Sequence, residues 1–486
     1  MTVVERAFIG GERVQDTGAA TFASIDPATE KVIAQVAQTS HEQVDAAVQT
    51  AATAQREWAR RSVDSRASTL WRWGELILAA GDELAQLDTY DIGRPISDST
   101  NDPAACARAT RYWAGMAEQI RGDQLPTAPG HLSYTVREPI GVVAIILPWN
   151  GPMLSLCNRV APALACGNGV VVKPSEWSPM SAGLLAELAL DAGLPAGLLN
   201  VVLGDGRVGA ALVEHRDVGG VSFTGSVATG RTIARAAAGK TITMELGGKS
   251  ANIVFADADL ETAIDAAVWG VFANTGQVCC AGTRLIVERS IADEFVTNVA
   301  QRSVLLRVGD PLDPQTQLGP VASKTQYDRV NRYLDDAVSG GARMATGGGR
   351  PADAGEVGYY IAPTVVCDAA PGSGIVREEI FGPVLAVQQF EDEAEAVGLA
   401  NDSRYGLAAN IWTENAGRML RVADQLEVGT VWGNTSRVMD PALPFGGFKD
   451  SGVGNAYGDA AVEGLTRLKR VSVRYGTDTP VPRWPR

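Results

Sequence analysis

Between residues 140 and 246 the chain alternates short apolar runs with helical segments, and this constrains its fold more than any other feature. Residues 141–147 form a continuous apolar strand, ended by Pro148-Trp149-Asn150. Residues 169–173, 198–203, 218–223 and 241–246 read as four further strands. Ser178 reads as the cap of the helix after the second strand, with Pro179 in its first turn and Gly193 and Pro195 stopping it. A helix over about 226–238 leads to the fifth strand. Apolar runs separated by helices imply a parallel sheet covered on both faces. In such sheets ligands bind beyond the carboxyl ends of the strands. A second α/β segment runs from about 251 to 438. The fold class is therefore α/β, and 486 residues suffice for two or three compact units.

Three helices precede the sheet, over about 42–60, 65–89 and 102–121, with Trp58 and Trp113 assigned to the core. Residues 7–14 with 21–27 read as a small hairpin. The chain closes with a Gly-rich loop over 444–454 and an alternating strand over 469–475. A net charge of −14 disfavours nucleic acid or an anionic membrane as partner, since both need a basic face. The longest apolar run, about 140–148, is too short to span a bilayer. No signal peptide is read after Met1. The six cysteines, at 106, 157, 166, 279, 280 and 367, show no zinc-ligand spacing, and there are only three histidines. No metal site and a reduced, cytoplasmic setting are expected.

Two adjacent thiols, Cys279 and Cys280, lie on a Gly-flanked loop between a helix capped at Asp259 and a strand over 284–288. A thiol there can be a nucleophile, a metal ligand, half of a disulfide or a small apolar residue. Spacing and compartment set metal and disulfide aside but do not separate the two thiols. Gly204-Asp205-Gly206-Arg207-Val208-Gly209 follows a strand and opens a helix, as a dinucleotide fingerprint does. With 53 glycines a chance match is easy, and the acidic residue about twenty positions on is missing. Phe223-Thr224-Gly225-Ser226 is a second strand-to-helix turn, where Ser226 either caps the helix or helps hold a phosphate. Lys173 and Glu176 are either a ribose-binding pair or a solvated ion pair. Glu245 ends a strand before two glycines. With histidine scarce it suits a general base, against the plain alternative of a surface carboxylate. Asn150 has an amide that suits an oxyanion donor. Glu379 stands near Phe381 on a further loop.

In order, Pro148-Trp149-Asn150, Lys173-Pro174-Ser175-Glu176, Phe223-Thr224-Gly225-Ser226, Glu245-Leu246-Gly247-Gly248-Lys249, Gly276-Gln277-Val278-Cys279, Glu379-Ile380-Phe381-Gly382-Pro383 and Pro444-Phe445-Gly446-Gly447 resemble the aldehyde dehydrogenase superfamily. The resemblance spans nearly the whole chain. It implies a Rossmann-like cofactor domain (1–119 and 139–247), an α/β catalytic domain (248–466) and a small oligomerisation sheet (120–138 and 467–486). It makes Cys279 the nucleophile and Cys280 its neighbour, with the oxyanion held by Asn150 and the Cys279 N–H, and Glu245 activating water to release the acid. Lys173 and Glu176 are assigned to the adenosine ribose, Ser226 to the pyrophosphate, and Glu379 and Phe381 to the nicotinamide ribose side. Lys173 is also counted with the catalytic set. Ile146, Pro148, Trp149, Ser175, Gly206, Gly209, Phe223, Thr224, Gly225, Glu245, Leu246, Gly247 and Cys279 complete the expected cofactor contacts.

Glu176 favours NAD, because its charge repels a 2′-phosphate; some family members use NADP as well. Glu245 argues against a coenzyme A-acylating type. The expected substrate pocket is Gly151, Ser155, Asn158, Ala273, Val278, Met439 and Phe445. Many members carry bulky residues where Gly151, Asn158 and Ala273 stand, and Asn158 and Arg159 add polar groups. The substrate is therefore expected to be larger than acetaldehyde: aromatic, cyclic or medium-chain, with a polar group. The strand over 469–475, with 122–138, is expected to pair with a neighbouring subunit in a homodimer or homotetramer. The competing readings are a thiol esterase using the same Cys279, and a non-catalytic protein that keeps the fold.

Overall fold

The computed structural model describes residues 3–14, 20–352 and 354–476. Its first sheet has eight strands. Five parallel strands form the middle, in the order Thr241–Glu245, Val218–Thr224, Val142–Ile146, Gly169–Lys173 and Leu199–Val201. In chain order this is 5-4-1-2-3, so the connections reverse direction between the first and fourth strands. That reversal opens a crevice at their carboxyl ends, beyond Ile146 and Thr224. Every residue of Val142–Ile146 and Gly169–Lys173 is buried, as continuous Val/Ile runs require in a sheet covered on both faces.

A second, seven-stranded sheet contains Ala251–Val254 beside Arg284–Glu288, and is parallel except at one edge. Its strand starts, just after Lys249 and Thr283, lie on the side of the first sheet's carboxyl ends. The link is short, because Glu245 ends one sheet and Ala251 begins the other. The thiol loop precedes Arg284–Glu288. It therefore sits at the amino edge of its own sheet and over the carboxyl edge of the first.

The expected segments hold with adjusted ends. The first helix is His41–Trp58, closed by a capping box between Ser40 and Gln43. Residues 65–89 form two helices, Val63–Ala79 and Gly81–Ile92, because Ala80 leaves helical geometry before Gly81. The third helix, Asp102–Met116, stops short of 121 in a 3-10 turn. Trp58 and Trp113 are fully buried. Ser178 does not cap its helix: Met180–Asp191 starts from Pro179, whose backbone is already helical, and no side chain caps it. The first hairpin is also corrected. Phe8–Ile9 pairs with Glu12–Arg13 on the large sheet, whereas Thr21–Ile25 pairs with Val32–Ala37 in a separate sheet.

His131–Pro139 and Thr466–Arg474 pair antiparallel over nine residues each, with Gln124–Leu125 on the far side. This is the small sheet expected from 122–138 and 469–475. Of its expected 467–486 arm, residues 477–486 lie outside the described residues.

Candidate active site

The helix Leu260–Phe272, capped by the Asp259 carboxylate, leads to the thiol loop. Three successive residues then turn left-handed: Asn274 (φ 52°), Thr275 (φ 55°) and Gly276 (φ 72°). Left-handed backbone costs a non-glycine residue of order 1–3 kcal/mol, so neighbours must hold it. The Asn274 amide donates to the Asn150 carbonyl at 2.8 Å, and Thr275 Oγ1 donates to the Gly319 carbonyl at 3.1 Å. The Gln277 side-chain oxygen accepts from the Ala322 N–H at 2.9 Å. At Gly276 any side chain would run into the Gly382 carbonyl.

The Asn150 side-chain nitrogen donates to the Gln277 carbonyl at 2.8 Å, two residues before Cys279. A primary amide has two N–H groups, so this contact fixes Asn150 against the loop and leaves a second donor.

A cleft of about 510 Å³ opens at the sheet's crevice. It collects Cys279, Asn150 and Glu245 with all the expected cofactor residues: Ile146, Pro148, Trp149, Lys173, Ser175, Glu176, Gly206, Gly209, Phe223, Thr224, Gly225, Ser226, Leu246, Gly247, Glu379 and Phe381. Ser226 caps Val227–Ala236 through the Thr229 N–H, as the first of its readings requires, and also lines the cleft. Gly206 and Gly209 line it as well, although Asp205 is spent capping their helix. Lys173 pairs with Glu176 at 3.3 Å. It lies three strands from Glu245 in the sheet order, hence about 14 Å away at ~4.8 Å per strand. This places it at the end of the cleft away from Glu245. The loop carrying Glu379 and Phe381 is clamped by Gln326, which donates to the Phe381 carbonyl at 2.7 Å while Phe381 itself is left-handed at φ 63°. Trp149 and Phe381 meet edge to face, with ring centroids 5.1 Å apart.

Glu245 is 3% exposed, and neither carboxylate oxygen has a hydrogen-bond partner among the described residues. Burial pushes its carboxyl up to about 8, with the Arg159 guanidinium opposing. Burial likewise lifts Glu379 to about 7 against the Gly248 N–H and the charges of Arg329 and Lys249. The adjacent thiols share a hydrogen bond. It holds Cys279 well above the ordinary thiol range, with burial adding to it, and holds Cys280 down at about 7. What distinguishes them is reach: Cys279 lines the cleft, while Cys280 is buried among Leu407, Ala408, Trp432 and Phe445.

None of the expected substrate residues is among those lining this cleft. A side chain at Gly151 would meet nothing within 4 Å. Ser155 is half-buried one turn along the helix Pro152–Ala165, and Asn158 bonds back to the Leu154 carbonyl at 2.9 Å. Ala273 and Val278 are half-buried, Phe445 is buried against Tyr457, and Met439 is exposed at the rim. Sequence reasoning missed Tyr457, Trp432 and Arg437. Tyr457 is pushed up to about 12 by burial and packs beside Cys279. No spacing signal marks these three: Trp432 lies in the strand Thr430–Gly433, Arg437 in the loop after it, and Tyr457 follows the short strand Gly452–Val453.

A cleft at the reversal point of a parallel sheet, lined by the Cys279 thiol, the Glu245 carboxylate and the Asn150 amide among others, describes a nucleotide-binding enzyme with a reactive thiol. The sequence profile of the aldehyde dehydrogenase family matches residues 14–471. PnpE from Pseudomonas sp. WBC-3 is 39% identical over 100% of both chains, with a TM-score of 0.97. HpcC from Thermus thermophilus is 41% identical over 99% of this chain and 95% of its own, with a TM-score of 0.96. An NAD+ complex of aldehyde dehydrogenase from Bacillus cereus is 40% identical over 97% of each chain, with a TM-score of 0.95. The chain belongs to the aldehyde dehydrogenase family. It is accordingly an oxidoreductase acting on aldehydes.

Proposed function

We propose that the protein is an NAD-dependent aldehyde dehydrogenase that releases a carboxylic acid, with Cys279 as nucleophile, Asn150 as oxyanion donor and Glu245 as base. The observation that carries this reading is that Cys279 is the one thiol among the residues lining the cleft, in the company of Glu245 and Asn150. The cleft fits a dinucleotide. Glycines at 206, 209 and 225 leave its wall open, Ser226 opens a helix there, and Lys173 with Glu176 supplies polar groups at the far end. The Glu176 carboxylate favours NAD over NADP by charge. NAD, when bound, takes up the hydride of the aldehyde carbon.

The chain's own groups do the rest. The Cys279 thiol passes its proton along the shared hydrogen bond to the Cys280 sulfur, and the Cys279 thiolate, the sulfur an aldehyde can reach, forms a C–S bond with the aldehyde carbon. The oxygen that gains charge is met by the second Asn150 N–H and the Cys279 N–H. Loss of hydride leaves a thioester on Cys279. Glu245 takes a proton from water, the hydroxide adds to the thioester, and the C–S bond breaks to give the acid and the thiol. The small residues Gly151 and Ala273 favour a substrate larger than acetaldehyde. We place the domains at 1–119 with 139–247, 248–466, and 120–138 with 467–486, around the eight-stranded, the seven-stranded and the small three-stranded sheet of His131–Pro139, with Gly452–Val453 crossing back to the first. Thr466–Arg474 is an edge strand with exposed Leu468 and Val473, which favours pairing with a second subunit in a dimer or tetramer. Six unbridged thiols suit the cytoplasm.

The test is stopped-flow NADH absorbance with an aldehyde panel. Turnover that favours benzaldehyde-sized over two-carbon aldehydes supports the reading. A wide margin for acetaldehyde overturns the substrate size, and ester hydrolysis without NADH overturns the redox assignment.

A further inference from the structure

We propose that the aldehyde carries a carboxylate and that Arg437 binds it, an inference that rests on the aldehyde-oxidising reading above. The cofactor cleft takes one side of the thiol loop. The segment 434–443 packs against the helix Leu260–Phe272 that leads to the loop, and it is pinned. Asn434 exchanges hydrogen bonds with the Thr413 backbone at 3.0 and 2.9 Å, and Trp432 Nε1 donates to the Val438 carbonyl at 3.2 Å. Asp440 is ion-paired with Arg108 of the helix Asp102–Met116.

Within this segment Arg437 is held in left-handed backbone at φ 54°. Such strain gathers at ligand clamps and needs a rigid setting. Its guanidinium lies 4.6 Å from the centre of the Trp269 ring, on the helix that delivers the thiol loop. Its charge is felt at Cys280, the neighbour of the nucleophile. Yet its Nη1 is out of solvent and has no hydrogen-bond partner among the described residues, and no ion pair is made by Arg437 among them.

A guanidinium cannot shed its proton to relieve this, and a buried donor left unmade costs about 1–3 kcal/mol, more for a charged group. Asp440, on the same segment, is engaged by Arg108, and Glu245, which lies near Cys280, is opposed by Arg159. Arg159, also with an unpartnered Nη1, therefore has a counter-charge in reach. Arg437 makes no ion pair among the described residues, although the whole chain is acidic at −14. The acceptor that would complete Arg437, whose charge reaches Cys280 one residue from the nucleophile, is planar and anionic, the group that a guanidinium selects. A semialdehyde acid supplies it: the aldehyde carbon at Cys279, the carboxylate at Arg437.

The test compares four-, five- and six-carbon ω-carboxy aldehydes with their methyl esters, reading NADH. At one chain length at least, the acid exceeds its ester by about tenfold or more in kcat/KM, the effect of roughly one charge-assisted contact. Arg437→Met removes that preference through a rise in KM for the acids and leaves the esters within about threefold, while Arg437→Lys keeps part of it. The inference is overturned if acids and esters are equal in the unchanged protein. It is also overturned if Arg437→Met lowers both alike, or if Arg437→Lys behaves as Arg437→Met does and both variants depress the esters. If no aldehyde of either charge yields NADH, it is the aldehyde-oxidising reading that fails. If neutral aldehydes are oxidised with no charge preference, only the carboxylate inference fails.

Discussion

Replacing Glu245 by Gln separates the chemistry of this site from its stability. The carboxyl is 3% exposed and without hydrogen bonds among the described residues, and burial raises it from 4.5 to about 8. Between those values the folded state holds a proton that the unfolded state has lost, so stability falls as pH rises through the window. Above pH 8 the full difference applies. At 1.36 kcal/mol per unit it amounts to about 5 kcal/mol at most. Gln has the same shape and no charge. Glu245→Gln should therefore resemble the unchanged protein in stability near pH 5 and exceed it by a few kcal/mol near pH 9. Denaturant unfolding at the two pH values measures this. The same variant should still give a burst of one NADH per Cys279, because C–S bond formation and oxidation do not need Glu245. Its steady-state rate should fall by about 10²–10⁴, the usual worth of a general base. In the unchanged protein the acid-releasing step should rise with pH around 8. A stability gain equal at both pH values would refute the burial argument. A burst lost in proportion to the steady state would refute the assignment of Glu245 to the second half of the reaction.

Two further substitutions test the frame around the thiol. Gly276→Ala puts a Cβ on a left-handed residue at φ 72° against the Gly382 carbonyl, so it should cost about 2 kcal/mol or more and displace Cys279; NADH turnover should drop at least about a hundredfold with folding cooperativity retained. Leu468→Asp on the edge strand, where Leu468 is 60% exposed, should shift sedimentation toward a smaller assembly. A monomer at micromolar concentration before any substitution would contradict the oligomer reading.

The parallel sheet was legible because strands buried on both faces need continuous apolar runs, and 142–146 and 169–173 carry them. Asn150 and Glu245 were legible as polar residues at strand ends, where ligands of such sheets bind. The choice between Cys279 and Cys280 was not, because adjacent residues share every spacing argument; it depends on which sulfur faces the cleft. The first hairpin misled because Phe8–Ile9 and Thr21–Ile25 both read as short strands, and short strands do not reveal their partners. Ser178 looked like a cap because serine often is one, but Pro179 takes that position in helical geometry. Arg437 was invisible for a different reason: its significance lies in what its guanidinium lacks, and only packing shows that.

Nothing tests the central claim more directly than Cys279→Ala measured beside Cys280→Ala, with burst NADH and dinucleotide binding recorded for each. Cys279→Ala should give no burst and no turnover while still binding NAD. Cys280→Ala should keep at least about a tenth of the turnover, since its sulfur packs among apolar side chains. A full burst from Cys279→Ala, with its loss in Cys280→Ala, would contradict the account.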